Sequence, residues 1–277
     1  MSSPLKQLLV HFDDSPAALK RLDVARRLAA AQGGLVTALY AVTPTLMDVP
    51  FAAEAGAAAV AALRDIDCQR QQRARAGFEL ALDESPGVRA HWAEATAYPV
   101  AAALAAQAFY ADLLVLGQPD PKLPDTRGLV ESVLNASGKP ALVVPHAETP
   151  QAVGETIAIA WKPAREAARA LAAAVPLLQR AREVHVMSWG PQEDDGVRGS
   201  HLNLDGYLHE RGIQPQWHRE PAEPDFIGEL LLSRAFDLGA DLLVMGCYGH
   251  SRAREWVLGG ASRTVLRSMT IPVLMAH

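Results

Sequence analysis

Short apolar runs alternate along this chain with longer segments rich in Ala, Leu and Arg, the pattern of strands and helices in succession. The runs predict strands near 6–12, 34–41, 88–93, 112–117 and 140–145, and again near 155–161, 183–189, 213–218, 241–246 and 272–276. LLVLG and LLVMG show no polar alternation, which suits strands covered on both faces of a parallel sheet. The segment PAALKRLDVARRLAAAQGG opens on Pro16, keeps its Leu and Ala on one stripe and stops at Gly33 and Gly34, so period and caps agree on a helix. Between Val42 and Gly87, an Ala-, Arg- and Gln-rich stretch from Phe51 to Leu82 predicts one long helix or two. It lacks the sustained apolar heptads of a coiled coil, so a covering helix is expected. Its counterpart, Gly190 to Gly212, is shorter and more polar.

The pattern occurs twice. ADLLVLG at 111–117 returns as ADLLVMG at 240–246, KPALVVPH at 139–146 as IPVLMAH at 271–277, and LLVHFDDSPAALKRL at 8–22 as IAIAWKPAREAARAL at 157–171. The three matches keep their order while their offsets drift, as expected of two copies of one βα unit with different loop lengths. The stretch from Thr149 to Gly154 reads as the junction, giving domains at 1–148 and 153–277. At 277 residues the chain suits two such domains.

Composition narrows the function classes. A net charge of −5 without clustered Lys or Arg argues against a nucleic-acid surface. The start MSSPLKQLLVHFDDSP lacks the plan of a signal peptide, and no run reaches the roughly 18 apolar residues of a membrane span, so a cytoplasmic address with no membrane partner is expected. Cys68 and Cys247 lie one in each half without ligand spacing, which points to packed cysteines rather than a disulfide or a metal site. Trp92 and Trp217 align between the copies and read as packing residues.

The stretch LLVMGCYGHSRAREWVLGGASRTVLRSM carries the candidate chemistry. Gly246 and Gly249 follow a strand, and Gly259 and Gly260 precede Ala261, Ser262 and a helix. Glycines there let main-chain N–H groups turn toward an anion, and Ser262 can add a hydroxyl at the helix start. His250, Ser251 and Arg252 are further candidate donors to phosphate, Arg252 with two-pronged geometry. The cradle follows a strand at the carboxyl edge of a parallel sheet, where such sheets place ligands. The spacing is neither GxGxxG nor GxxxxGK[ST], so a dinucleotide fingerprint and a P-loop are unsupported.

Gly-x2-Gly-x9-Gly followed by a Pro-Val-Leu strand resembles the ATP-binding motif of universal stress proteins, and the resemblance extends over both copies. It implies two open parallel five-stranded sheets with helices on both faces, an adenine-nucleotide alpha hydrolase-like α/β fold, packed about a pseudo-twofold axis through the final strands. It also implies ATP or another adenine nucleotide as ligand, leaving Mg2+ open, and it leaves room for self-association or a protein partner. In the family an acidic residue closes the first strand and helps hold the nucleoside. Asp13 matches it in the first copy, whereas Lys162 stands there in the second, and Gly260 replaces the usual Ser or Thr. The first copy has the opposite defect: Asp120 stands in place of the second glycine, Arg127 faces Gly259, and the loop is three residues shorter. Asp120 and Asp125 repel a triphosphate. The expected binding set is therefore Lys162, Val186, Gly246, Gly249, His250, Ser251, Arg252, Gly259, Gly260, Ala261 and Ser262, with Asp13 as the surviving acid of the first copy.

Three functions compete. One is a stress-response sensor or regulator that binds nucleotide in its C-terminal half without efficient catalysis. Another is a nucleotide-independent scaffold of the same fold. The third, an enzyme of the related adenylylating folds, lacks its signature in HFDDSP and AWKPAR, so weak ATP hydrolysis is the most that is expected. No catalytic constellation and no metal-ligand cluster is visible.

Overall fold

The structure, a computed structural model, describes residues 5–49, 56–84, 87–120, 126–146, 150–190, 200–222, 224–247 and 260–277. It divides into two compact units, Pro4–His146 and Ala147–His277. The N-terminal unit runs β1 (Gln7–Phe12), α1 (Pro16–Gln32), β2 (Leu35–Tyr40), the single turn α2 (Thr45–Asp48), α3 (Ala57–Glu84), β3 (Ala90–Glu94), α4 (Val100–Ala108), β4 (Leu113–Gly117), α5 (Leu129–Ser137) and β5 (Ala141–Val144). The C-terminal unit runs β6 (Thr156–Ala160), α6 (Arg165–Leu178), β7 (Glu183–Trp189), α7 (Leu204–His209), β8 (Gln216–Glu220), α8 (Ile227–Asp237), β9 (Leu242–Gly246), α9 (Ala261–Ser268) and β10 (Val273–Ala276).

Within each unit the strands are parallel, in the orders β3-β2-β1-β4-β5 and β8-β7-β6-β9-β10. The chain winds outward from β1 in one direction and resumes at β4 in the other, so the strand order reverses between β1 and β4, and likewise between β6 and β9. Such a reversal opens a crevice at the carboxyl ends of the two strands. It places Asp13 and Gly117 together in one unit and Lys162 and Gly246 together in the other. β4 and β9 are buried along LLVL and LLVM, as their uninterrupted apolar runs require.

Local rules explain where the elements start and stop. Pro16 occupies the first turn of α1, and Gly33 closes it in a left-handed conformation at φ 62°. A side chain on Gly34 would lie 2.6 Å from the Leu5 carbonyl, so only glycine fits as the chain turns into β2. The stretch expected as one long helix or two forms the single helix α3, with residues 51–55 outside the described part. β8 begins at Gln216, later than the apolar pattern suggests. Pro215 immediately precedes this edge strand, and Ile213 is buried ahead of the paired segment. Among the described residues no helix is long and apolar enough to cross a membrane.

Strand register ties the copies together residue by residue. Val10 pairs with Ala38 and Ala38 with Trp92; Ile159 pairs with Val186 and Val186 with Trp217. Trp92 and Trp217 therefore hold the same place in the two sheets but make different contacts. Trp92 stacks on Tyr40 at 5.7 Å and meets Phe12 at 5.5 Å and Phe78 of α3 at 5.3 Å, closing an aromatic cluster under the long helix. Trp217 instead carries the Arg219 guanidinium 4.2 Å above its ring. Phe78→Ala is expected to cost about 3–5 kcal/mol, because it leaves a cavity under Trp92 that α3 cannot fill. Urea denaturation followed by tryptophan fluorescence checks this, and an unchanged midpoint would show that α3 does not hold the sheet here.

Candidate functional site

In the C-terminal unit the edge of interest is formed by the ends of β6 and β9 and the starts of α6 and α9. β6 gives way to Trp161, whose N–H donates to the Met187 carbonyl at 2.8 Å, and then to the exposed Lys162. β9 ends at Gly246, where an added Cβ would lie 2.5 Å from the Ala167 nitrogen and 2.8 Å from the Glu166 carbonyl carbon. The absence of a side chain at Gly246 is thus accounted for by the first turn of α6, which presses on the strand end. Across the crevice, Gly260 enters α9 in an extended conformation (φ −48°, ψ 156°), and no side chain caps the helix. Ala261 is half-buried and Ser262 is buried. α9 is held in place by α8: a Cβ on Gly228 would lie 2.7 Å from Cβ of Thr264, so this glycine lets the two helices meet.

Three further groups converge here. The Cys247 thiol is buried and donates to the Ala276 carbonyl at 3.3 Å, which makes it a packed residue. Nδ1 of His277 lies 3.2 Å from the Cys247 carbonyl, and Arg169 donates to the His277 main-chain oxygen at 2.6 Å. The same contact exists in the N-terminal unit, where Lys20 donates to the His146 carbonyl at 2.9 Å. Glu166 was not singled out by sequence. Its carboxylate is buried and accepts a hydrogen bond from Arg165. Burial pushes its pKa up, but hydrogen bonds from Arg165 and its own backbone, with the charges of Arg165 and His277, hold it below the usual range. An acidic residue in the first turn of a helix after a strand was the available signal.

The N-terminal unit fills the equivalent space with its own side chain. Arg21 is buried, donates from Nε to the His11 carbonyl at 2.8 Å and pairs with Asp13 at 2.7 Å. Its Nη1 lies 2.7 Å from where a Cβ on Gly117 would be, so the guanidinium rests on the end of β4. Asp13 also accepts from the Ser15 N–H at 2.8 Å. Just outside, Asp14 is clamped by Arg70 at 3.2 Å and Arg73 at 2.8 Å, both from α3, and Asp67 accepts from the hydroxyl of Thr45 at 2.6 Å. The Asp120 N–H donates to the Thr126 hydroxyl at 2.9 Å, and α5 is entered through Gly128 in a left-handed conformation, unlike Gly260 before α9. The carboxylate expected to serve a nucleoside is thus engaged by an internal cation.

Of the expected binding residues, the structure brings Lys162, Gly246, Gly260, Ala261 and Ser262 to one edge of the C-terminal unit. Asp13 belongs to the other unit's edge. Val186 is fully buried within β7, three residues short of the strand end, so its side chain packs in the core. Gly249, His250, Ser251, Arg252 and Gly259 lie outside the described residues, as does Asp125. Among the described residues no group of three or more His, Cys, Asp or Glu is arranged to hold a metal ion.

Comparison with known proteins agrees with this architecture. The sequence model of the universal stress protein family matches residues 4–145 and again 154–277. Among solved structures, a universal stress protein from Archaeoglobus fulgidus superposes with a TM-score of 0.69 at 18% identity, covering 98% of this chain and 95% of its own. A putative universal stress protein from Pseudomonas aeruginosa gives 0.57 at 19% identity, covering 98% and 92%. These likenesses establish the fold. No curated protein matches the chain in sequence.

The Asp13–Arg21 pair makes a testable statement about stability. Burial raises the Asp13 pKa, yet Arg21, His11 and Ser15 outweigh it and bring it down to about 2 from an ordinary 3.8. A carboxylate depressed on folding stabilises the native state above its unfolded pKa and loses that contribution as pH falls toward its folded value. Asp13 is therefore expected to contribute roughly 2 kcal/mol at neutral pH, lost between about pH 4 and pH 2. Asp13→Asn should lower stability at pH 7 and flatten this part of the curve, as urea midpoints measured across acidic pH would show. A D13N variant whose stability falls over that range as the parent's does would refute the assignment.

Proposed function

Since the chain belongs to the universal stress protein family, we propose that its C-terminal half binds an adenine nucleotide mainly through the phosphates and acts as a stress-response sensor or regulator without efficient catalysis. The observation that carries this reading is the uncapped start of α9, entered through Gly260 and lying across the crevice from the end of β6 that leads to Lys162. Helix N-termini favour anions through their N–H groups and dipole, and an exposed ammonium nearby adds charge attraction. The motif Gly246, Gly249 and Gly259, with His250, Ser251 and Arg252, supplies further main-chain and side-chain donors on this reading. Lys162 replaces the acid that serves a nucleoside elsewhere in the family, so recognition shifts from sugar to phosphate. A cellular address in the cytoplasm is part of the same proposal.

The N-terminal half favours a second reading for itself. Arg21 sits on Gly117 and engages Asp13, while Arg70 and Arg73 cover Asp14. A nucleotide would have to displace a buried ion pair, and removing one partner of such a pair costs about 3–5 kcal/mol. This half serves as a nucleotide-independent scaffold, so one ligand per chain is expected.

Isothermal titration of the full chain with ATP and with adenosine tests the proposal. One equivalent of ATP should bind, adenosine more weakly, and Lys162→Ala should weaken ATP by about tenfold while leaving adenosine unchanged. No heat at millimolar ATP would establish the scaffold reading for both halves.

A further inference from the structure

The duplicated sheet offers an internal control for chemistry that the fold itself does not need. By strand register, His185 and Met187 of β7 hold the places of Thr37 and Leu39 of β2, and His218 of β8 holds the place of Ala93 of β3. One copy of the scaffold is thus complete with a hydroxyl, an aliphatic chain and a methyl group, where the other carries two imidazoles and a thioether. Alternate residues of a strand share a face, and Met187 pairs directly with His218, so the three stand together on one face of the sheet.

The two imidazoles meet through ring nitrogens. Nδ1 of His185 lies 3.2 Å from Nε2 of His218, with the ring centroids 5.3 Å apart. Two nitrogens bound to one metal ion at about 2.0–2.1 Å stand roughly 3.3–3.6 Å apart at tetrahedral to trigonal angles, so a small turn of either ring opens the contact to an ion. His185 is 3% exposed, and its other nitrogen, Nε2, is enclosed with no hydrogen-bond acceptor among the described residues. The Glu183 carboxylate lies 3.7 Å from that nitrogen. It favours the tautomer that keeps the proton on Nε2 and turns the Nδ1 lone pair toward His218, the part that carboxylates play behind metal-bound imidazoles.

The set is within reach of an ion from outside. A groove of about 300 Å3 against α8 is lined by Met187, Trp189, His218, Glu220 and Arg234. Glu220 and Arg234 pair with each other at 2.7 Å, so their charges cancel. The donors decide which ion suits the place. Only two of them belong to the His, Cys, Asp and Glu that commonly hold metals, and the third is a thioether, a soft ligand that selects Cu(I), which imidazole also suits. All three donors are uncharged. A buried charge is costly unless it is compensated, which favours a monovalent ion over a divalent one, with Glu183 at hand to balance it.

We propose that Nδ1 of His185, Nε2 of His218 and the thioether of Met187 form a three-coordinate site for Cu(I) between β7 and β8. The site is independent of the nucleotide reading, and its failure leaves that reading standing.

Titration of the full chain with Cu(I), supplied as its acetonitrile complex under argon and followed on the imidazole 15N signals of the nine histidines, tests the site. Cys68→Ser serves as the background, because the exposed Cys68 thiol is itself a soft ligand. The signals that disappear in His185→Thr and in His218→Ala identify the two rings. Both should shift saturably with Cu(I), at Nδ1 of His185 and at Nε2 of His218. These substitutions, like Met187→Leu, put in place what the first copy carries, and unchanged signals from the remaining histidines establish that each variant is folded. Met187→Leu should weaken Cu(I) binding about tenfold in competition with bicinchoninate, and His218→Ala should abolish the shift at His185. Signals of His185 and His218 that stay put in excess Cu(I) overturn the proposal and leave a plain hydrogen bond between two imidazoles. A Met187→Leu variant that binds like its parent overturns it as well, as does displacement of Cu(I) from these rings by equimolar Zn2+.

Discussion

The glycine that ends the fourth strand of each sheet is the constraint on which both edges depend. At Gly117 and Gly246 the chain has given up a side chain directly at the reversal of strand order, and in each case something else occupies the room. In the N-terminal unit it is the Arg21 guanidinium, which brings the Asp13 carboxylate with it. In the C-terminal unit it is backbone, the first turn of α6. A cation placed there holds the carboxylate within the unit. A helix placed there seats the first turn of α6 against the end of β9.

The electrostatic character of the two edges follows. Asp13 and Asp14 meet Arg21, Arg70 and Arg73, so the N-terminal edge is internally neutralised and its carboxylates serve stability. At the C-terminal edge the acid is Glu166, drawn into the first turn of α6 and satisfied by Arg165, while Lys162 is exposed. Exchange of Asp for Lys at the end of the first strand is therefore more than the loss of one contact: a mostly buried, paired carboxylate in one unit gives way to an exposed ammonium in the other.

Much of the fold was legible because burial on both faces leaves a plain signature. LLVLG and LLVMG could only be central parallel strands, and Pro16 with Gly33 fixed α1 at both ends. The edge strand β8 was less legible, since QWHRE has no apolar run. The candidate site was only half legible. Gly246 was visible as a glycine in a phosphate-type spacing, but its dependence on α6 arises from a contact between residues some 80 positions apart in sequence. A strand position says nothing about depth, and the sheet buries the Val186 side chain. Arg21 and Glu166 escaped notice because each acts from the opening turns of a helix, where the apolar stripe rather than the charged positions drew attention.

These contacts also decide which substitutions can speak about function. Any side chain at Gly246 strikes the backbone of α6 before it reaches a ligand, so a variant there reports on helix seating, whatever happens to binding. Gly228 behaves alike for α8 and α9. A change at Asp13 or Arg21 unpairs a buried charge and is read as stability. Lys162 is different: it is exposed, and α9 meets α8 at Gly228 and Thr264, a contact in which Lys162 has no part. On the proposed reading, a charge removed there weakens the attraction for phosphate while that contact stands, which makes it the more direct test of the charge.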